Sequence, residues 1–422
     1  MLYLTATGRN DWASQLDGSP SKSFFYPSVG LSWVPSSTWD LGNAFSYLKL
    51  RGSIASVGLP FPRFLTTPTY EYDATGKIWK DKTHYPIGDL KPERTITYEV
   101  GIDARLWKNI SLSASWYSAD TKNQTFDPAL PPSSSYTTIY LQTGHVRNTG
   151  VELSLGYSNQ WRDFGWSSNF TFSWNKNEIV DLASGALNPV TGQPLNLSEL
   201  DIKGLGKAKY ILKQGGTLGD LYTTSDLKFN DNGYVEVDKA GNLLLTDEGE
   251  QIYLGSVFPS ENLAWRNDFR YKGINLGLLF TGRIGGICYS ATQANMDLYG
   301  VSEVSAAARD AGGVLINGRE MVDAQKWYQA IGSQSGLPQY YTYSATNFRL
   351  QELSLGYTLP RKWFRNKMVL TVSFVGRNLW MIYCKAPFDP EAVASTGLSY
   401  QGIDYFMMPS LRSLGFNVKF EF

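Results

Sequence analysis

The sequence predicts an all-β fold: about twelve antiparallel strands forming the wall of a transmembrane β-barrel with long extracellular loops. Three observations predict it. Segments of period two recur along the chain, the connections between them alternate long and short, and aromatic residues gather at segment ends. The clearest segment is the last. Leu414, Phe416, Val418, Phe420 and Phe422 fall on one side of a strand, and Gly415, Asn417, Lys419 and Glu421 on the other. One apolar face and one charged face suit a sheet between lipid and a wet lumen.

The remaining strands follow the same rule. Alternation predicts strands at about 2–11, 23–34 and 45–57. Tyr98, Val100, Ile102, Ala104 and Leu106 then alternate with polar residues, turn at Trp107-Lys108-Asn109, and continue as Ile110, Leu112, Ala114 and Trp116. Val151, Leu153, Leu155 and Tyr157 form the next apolar face, and Trp166, Phe170, Phe172 and Trp174 the one after it. Strands at 262–271, 274–283, 347–357, 368–378 and 409–422 complete the set. The connections at about 58–93, 118–144, 177–261, 284–346 and 379–408 are long. Those at 107–109, 158–163, 272–273 and 360–367 are short. A barrel with short periplasmic turns and long outer loops segregates its loops in this way. The parity places the C-terminus in the periplasm. It places Trp107, Trp161 and Trp363 at the inner rim, with Trp116 and Trp174 at the outer rim, as two interfacial belts require.

Composition agrees. Of 422 residues 18% are charged and 14% aromatic, with 13 Trp and 26 Tyr, a low charge and a high aromatic load for a soluble domain. A formal net charge of zero argues against nucleic acid as a partner. No apolar run approaches the ~18 residues of a membrane helix. Met1 leads straight into a strand-like run with no signal-peptide pattern, so the expectation is a C-terminal piece of a longer protein. Cys288 and Cys384 are the only cysteines, too few for a disulfide framework.

Several motifs then resemble one family. Leu90-Lys91-Pro92-Glu93-Arg94-Thr95 running into Tyr98-Glu99-Val100-Gly101, and Asn148-Thr149-Gly150-Val151-Glu152-Leu153, resemble signatures of TonB-dependent receptors. Tyr47 to Ser53, Asn347 to Pro360, Gly376-Arg377-Asn378-Leu379 followed by Asp389-Pro390-Glu391, and Arg309 to Gly313 resemble the SusC/RagA type, in family order. The resemblance implies a 22-stranded barrel, of which residues 1–422 are the C-terminal part. On that resemblance the signal peptide, TonB box, plug and early strands are expected to be not present in residues 1–422. It implies an importer in a Gram-negative outer membrane, driven through the TonB complex, with a SusD-like surface lipoprotein as lid and an oligosaccharide or peptide as cargo.

The candidate chemistry is sparse. Asn230 to Val235 resembles an acidic loop of the family, but Lys228 and Lys239 occupy positions where a calcium loop needs oxygen ligands. A hairpin turn is the reading, with no metal and no cofactor. His84 and His145 lack ligand spacing, and the Gly-Gly pairs at 215–216, 285–286 and 312–313 lack a phosphate-loop context. Helices are expected at about 301–310 and 320–331. Glu99, Asp103 and Glu152 are expected on the lumen face, contacting a plug or lining a wet channel. Candidate substrate or lid contacts are Tyr340, Tyr341, Tyr343, Tyr400 and Tyr405, and the barrel-assembly signal is Phe416, Val418, Phe420 and Phe422. No nucleophile–base pair stands out, so an enzyme is not expected. The alternatives are a passive porin-like barrel and a surface all-β glycan-binding protein.

The terminal strand generates a test. Deletion of Phe422 is expected to lower outer-membrane assembly more than a one-residue deletion in an outer loop, read as the membrane-inserted, heat-modifiable fraction; equal assembly would remove the signal role.

Overall fold

A computed structural model describes residues 1–422 except 43, 64, 67–69, 82–83, 86–89, 127–135, 137, 183–192, 194–196, 248 and 398–399. Twelve strands form one antiparallel sheet. They are β1 (Leu2–Trp12), β2 (Ser23–Trp33), β3 (Phe45–Leu59), β4 (Glu93–Leu106), β5 (Ile110–Phe126), β6 (Leu141–Trp161), β7 (Phe164–Asp181), β8 (Glu261–Tyr271), β9 (Ile274–Ile284), β10 (Asn347–Thr358), β11 (Val369–Cys384) and β12 (Ser413–Glu421). Each pairs with its neighbours in chain order, and β1 and β12 are the two edges, so the sheet is an open wall.

Apolar rows cross one face of that wall from strand to strand, interrupted by Ser168 and Asn267, whose side-chain oxygens accept from the Trp265 and Trp166 indoles. One apolar row crosses Leu112, Leu155, Phe170, Trp265, Phe280 and Leu350. A second, nearer the short turns, crosses Phe164, Tyr271, Ile274, Tyr357, Val372 and Val418. Aromatic rings pack together at that end. Trp161 stacks on Phe164 at 5.9 Å, and Trp166 on Phe269 at 6.1 Å. Trp107, Trp161 and Trp363 are all well exposed there. Trp116 and Trp174 lie farther from the short turns, in one row through their shared partner Val151. This is the two-belt arrangement expected from the sequence.

Short turns demand left-handed backbone, and the sequence supplies it. Lys272 and Gly273, between β8 and β9, have φ of +46° and +90°. A Cβ on Gly273 would lie 2.7 Å from the Thr358 carbonyl oxygen. Two consecutive positive φ angles make the hairpin turn whose twist matches the strands.

The core lies outside this wall. Its residues come from the long connections and the outer ends of strands: Phe126, Val146, Ile179, Leu200, Tyr210, Leu212, Leu221, Tyr289, Ile331, Leu337 and Ile403 among them. β6 has 21 residues, roughly 70 Å at ~3.3 Å per residue, which even at ~45° tilt is about twice a ~25 Å apolar band. The part of β5–β7 far from the short turns therefore extends beyond such a band and carries the loop body.

The structure corrects the sequence reading in this region. The connection predicted as a single loop at 177–261 contains a four-stranded sheet of Glu199–Leu205, Ala208–Lys213, Asp220–Thr223 and Ile252–Ser256. It also holds an extended arm whose turn brings Phe229 opposite Val235, the predicted hairpin. The expected helices are α2 (Glu303–Asp310) and α3 (Ala324–Ile331), and an unexpected α1 (Ala291–Leu298) precedes them. Each has a side-chain N-cap. Ser290 accepts from the Gln293 amide, Ser302 from that of Ser305, and Asp323 from those of Gln325 and Lys326, which satisfies otherwise orphaned donors. Ser290 with Gln293 is a capping-box spacing that was legible in the sequence. Parts of the predicted connections at 58–93, 118–144 and 177–261 lie outside the described residues.

Leu212 is fully buried in the loop body. Leu212→Ala is expected to destabilise that body by about 2–5 kcal/mol. Limited proteolysis should show faster cleavage in 182–260 while the wall keeps its heat-modifiable migration.

Candidate functional site

The polar face of the wall is built from cross-strand rows. One runs Arg51, Gly101, Ser115, Glu152, Ser173, Asn262; the next runs Lys49, Asp103, Ser113, Ser154, Thr171, Ala264. Glu99, Asp103 and Glu152 therefore share one face, as predicted. The structure adds that the first two are engaged within the wall. Arg51 pairs with Glu99 and approaches Asp103 at 3.7 Å, Lys49 approaches Asp103 at 3.8 Å, and Ser113 Oγ donates to Asp103 at 2.7 Å. The guanidinium lies over Gly101, where a Cβ would come within 2.8 Å of Arg51 Nε. One strand farther on, Tyr117 lies across Gly150 and donates to Asn175 Oδ1 at 3.2 Å.

These contacts leave a shallow groove of about 350 Å³ lined by Ser113, Ser115, Glu152, Ser154, Thr171 and Ser173 among others. Hydroxyls, the Glu152 carboxylate and the Arg51 guanidinium on an open wall suit water or a polar protein surface. A second charged row lies toward β11, with Arg266 on Asp268 at 2.9 Å and Arg377 on Glu352 at 3.0 Å.

The five candidate tyrosines separate into two groups. Tyr341 is 2% exposed, and burial with the neighbouring Asp297 carboxylate holds its hydroxyl far above the usual tyrosine range. Tyr343 is half-buried, its hydroxyl donating to Gln293 Oε1 at 2.7 Å and its ring edge-on to Phe388 at 5.8 Å. Tyr340 sits edge-on to Trp327, and burial with Asp226 pushes its hydroxyl up to about 12. Tyr341 and Tyr343 are thus packing residues of the loop body, whereas Tyr340 is 37% exposed and belongs with the surface group. Tyr400 and Tyr405 are about two-fifths exposed, on the connection between β11 and β12. Beside Tyr405 stand Phe406, Met407 and Met408, also exposed, which the sequence reading passed over. Phe406 has φ +52°, and its amide donates to Thr292 Oγ1 at 2.6 Å. An aromatic residue in left-handed backbone is strained unless its surroundings hold it, and here α1 does so.

His145 Nε2 lies 2.7 Å from Asp120 Oδ1 beside Arg147, an ion-pair cluster on β5 and β6. Cys288 and Cys384 are both free. Burial first, then nearby Cys384, Asp404 and Asp389, push the Cys288 thiol up to about 12, far from a reactive thiolate. Among the described residues no group of three or more His, Cys, Asp or Glu is placed to hold a metal ion. The hairpin at 230–235 is closed by its own hydrogen bonds: Asn230 Oδ1 accepts from the Asn232 and Tyr234 amides.

Comparison with known proteins identifies the architecture. The family described as TonB dependent receptor-like, beta-barrel matches residues 1–248. TonB-dependent receptor P3 of Formosa agariphila is 24% identical over 451 residues, covering 99% of this chain and 44% of that protein. TonB-dependent receptor SusC of Bacteroides thetaiotaomicron is 20% identical, covering 79% of this chain and 32% of that protein. Among solved structures, the RagAB peptide importer in its "closed-closed" state superposes with a TM-score of 0.72 at 20% identity, covering 99% of this chain and 45% of that one. The chain thus spans less than half the length of these relatives.

The two groups of tyrosines make different predictions. Tyr341→Ala is expected to destabilise the loop body by about 3–5 kcal/mol, as for other buried aromatic truncations. Tyr400→Ala and Tyr405→Ala, being exposed, should each stay within about 0.5 kcal/mol. Protease resistance of the outer body across a urea series measures both.

Proposed function

Because the chain belongs to the TonB-dependent receptor-like β-barrel family, whose members are outer-membrane receptors and transporters rather than enzymes, we propose that it is the C-terminal part of a SusC/RagA-type importer. Its twelve strands supply wall of a larger barrel, with the short turns and Phe422 on the periplasmic side and the loop body outside the cell. The observation that carries this reading is the contrast between the two faces. One side presents apolar rows to lipid, with its polar pair Ser168 and Asn267 covered by Trp265 and Trp166, and the other presents paired charges and hydroxyls to a wet or protein-filled lumen.

The whole protein's activity follows from the same reading. Ion pairs between wall strands stiffen the lumen face, and the groove of Ser113, Ser115 and Glu152 offers hydrogen bonds to a plug filling the barrel. The outer body offers Tyr400 and Tyr405 at its surface to cargo or to a SusD-like lipoprotein lid. Cargo is an oligosaccharide or a peptide. Uptake is coupled through TonB to the proton-motive force, since an open polar wall provides no energy source of its own.

Uptake of labelled oligosaccharides and peptides by cells carrying the intact protein tests this. Uptake is expected to fall to background on adding a protonophore, and again in cells lacking TonB. Uptake that continues unchanged under both would replace the reading with a passive porin. Tyr405→Ala should raise the cargo concentration needed for half-maximal uptake without changing the amount of protein in the membrane.

A further inference from the structure

β12 poses a register problem that its own sequence does not solve. Its lipid face is Leu414, Phe416, Val418, Phe420 and Phe422, and its other face is small or polar. A slip of one residue would turn every side chain to the wrong face, and the pattern forbids it. A slip of two residues keeps every face and every hydrogen-bonding parity. Opposite Phe374, where Phe416 now sits, it would place Leu414 or Val418, and each is apolar. Hairpins with tight turns set register through the turn. β11 and β12, however, are joined by the long connection 385–412, which cannot do so.

A buried ionic cluster lies where that connection leaves and returns. Arg349, on β10, is 3% exposed. Its guanidinium donates to Asp389 Oδ1 at 2.9 Å and Oδ2 at 3.3 Å, and lies 3.1 Å from Glu391 Oε1. It also donates to Asn347 Oδ1 at 3.2 Å and Asn378 Oδ1 at 3.4 Å. Arg283 approaches Glu391 at 3.6 Å, so two cations balance two carboxylates. Burial disfavours ionised Asp389, but the hydrogen bonds from Arg349, Ser410 and the Glu391 amide outweigh it and hold the carboxyl below its usual range.

The far end of the connection enters the same cluster. Ser410 Oγ donates to Asp389 Oδ2, and Asn378 Nδ2 donates to the Ser410 carbonyl at 3.1 Å. Asn378 has φ +51° and sits in a bulge of β11, where the pairing with β10 shifts between Leu350 and Glu352. The bulge turns its amide side chain toward Ser410. Residue 410 is thereby tied to residue 378, and three residues later Ser413 pairs with Arg377. So short a tether has no slack for a slip of two.

We propose that Arg349, with Asp389, Asn378 and Ser410, is a register latch: it selects one of several face-preserving pairings of β12 with β11 and so positions the terminal strand and the connection bearing Tyr400 and Tyr405. Arg349 acts as a positioning residue, through Asp389 and Asn378, and touches no cargo. The proposal stands independently of the import reading, because its readout is strand register.

The test is cysteine cross-linking in the intact protein in outer membranes, with Cys288 and Cys384 replaced by Ala. Val375→Cys with Gly415→Cys reports the observed register. Val375→Cys with Ser413→Cys or with Asn417→Cys reports a slip of two in either direction. With the latch intact, only the first pair should cross-link. In Arg349→Gln the ratio of in-register to slipped product is expected to fall about tenfold or more, the change that ~1.4 kcal/mol of register preference produces. Arg349→Lys, which keeps the charge but not the fork, should restore part of it. If Arg349→Gln does not reach the membrane, the double variant Asn378→Gly with Ser410→Ala decides. It leaves the Arg349–Asp389 pair intact, removes both ties to the returning end and keeps the positive φ at 378, and it should still yield slipped product. Unchanged cross-linking at 415 with no slipped product, in Arg349→Gln or failing that in the double variant, overturns the latch.

Discussion

Every backbone N–H and C=O group in the hydrocarbon layer must find its partner within the protein, since lipid offers none. The rest of this structure depends on that constraint. It selects a sheet in which each of twelve strands pairs with its neighbours in chain order, and it limits irregular backbone in the wall to local bulges such as those at Leu279–Phe280 and Asn378. Irregular structure, helices and secondary sheets are then confined to the connections. Because the chain must cross and return, those connections fall alternately on the two sides.

The same constraint explains where the hydrophobic core is. A wall between lipid and lumen buries nothing against itself, so its apolar side chains point to lipid and remain exposed in the isolated sheet, as Leu355 and Phe416 do. The loop body meets water and must bury apolar surface to hold together. Leu212, Leu221, Tyr289 and Ile403 are fully buried there, contributed by connections far apart in sequence. The chain thus solves two folding problems with different solvents, joined where β5–β7 rise out of the membrane.

Charges divide accordingly. On the lumen face they are partly exposed and paired across strands, as Arg51 is with Glu99 and Asp103. Where the last connection meets the wall they are buried, and Arg349 is nearly inaccessible with Asp389 and Glu391 around it. Surface pairs of the first kind contribute little, whereas breaking a buried pair leaves an uncompensated charge. That difference suits Arg349 to specifying one arrangement among several of similar energy.

The strands of the wall were legible because period-two alternation is a local signal, and lipid enforces it over every strand. The Trp107-Lys108-Asn109 and Lys272-Gly273 turns were legible as short breaks between alternating segments; that Trp107, Lys108 and Lys272 adopt left-handed backbone was not, since those residue types do not favour it. α1 had its signal in Ser290 and Gln293, which the surrounding loop obscured. The four short strands between 199 and 256 had none of comparable strength, because they are buried in a body whose faces are set by distant partners. Tyr341 and Tyr405 look alike in sequence; only packing against α1 and the Asp297 carboxylate buries one, while the other stays at the surface. By itself the sequence determined which face of each strand meets lipid, since that depends on neighbours two residues apart. Tertiary structure alone decided which tyrosines remain available and which of the face-preserving registers β12 adopts, because both depend on groups such as Arg349 and Asp389 that lie 40 residues apart and meet only when the chain is folded.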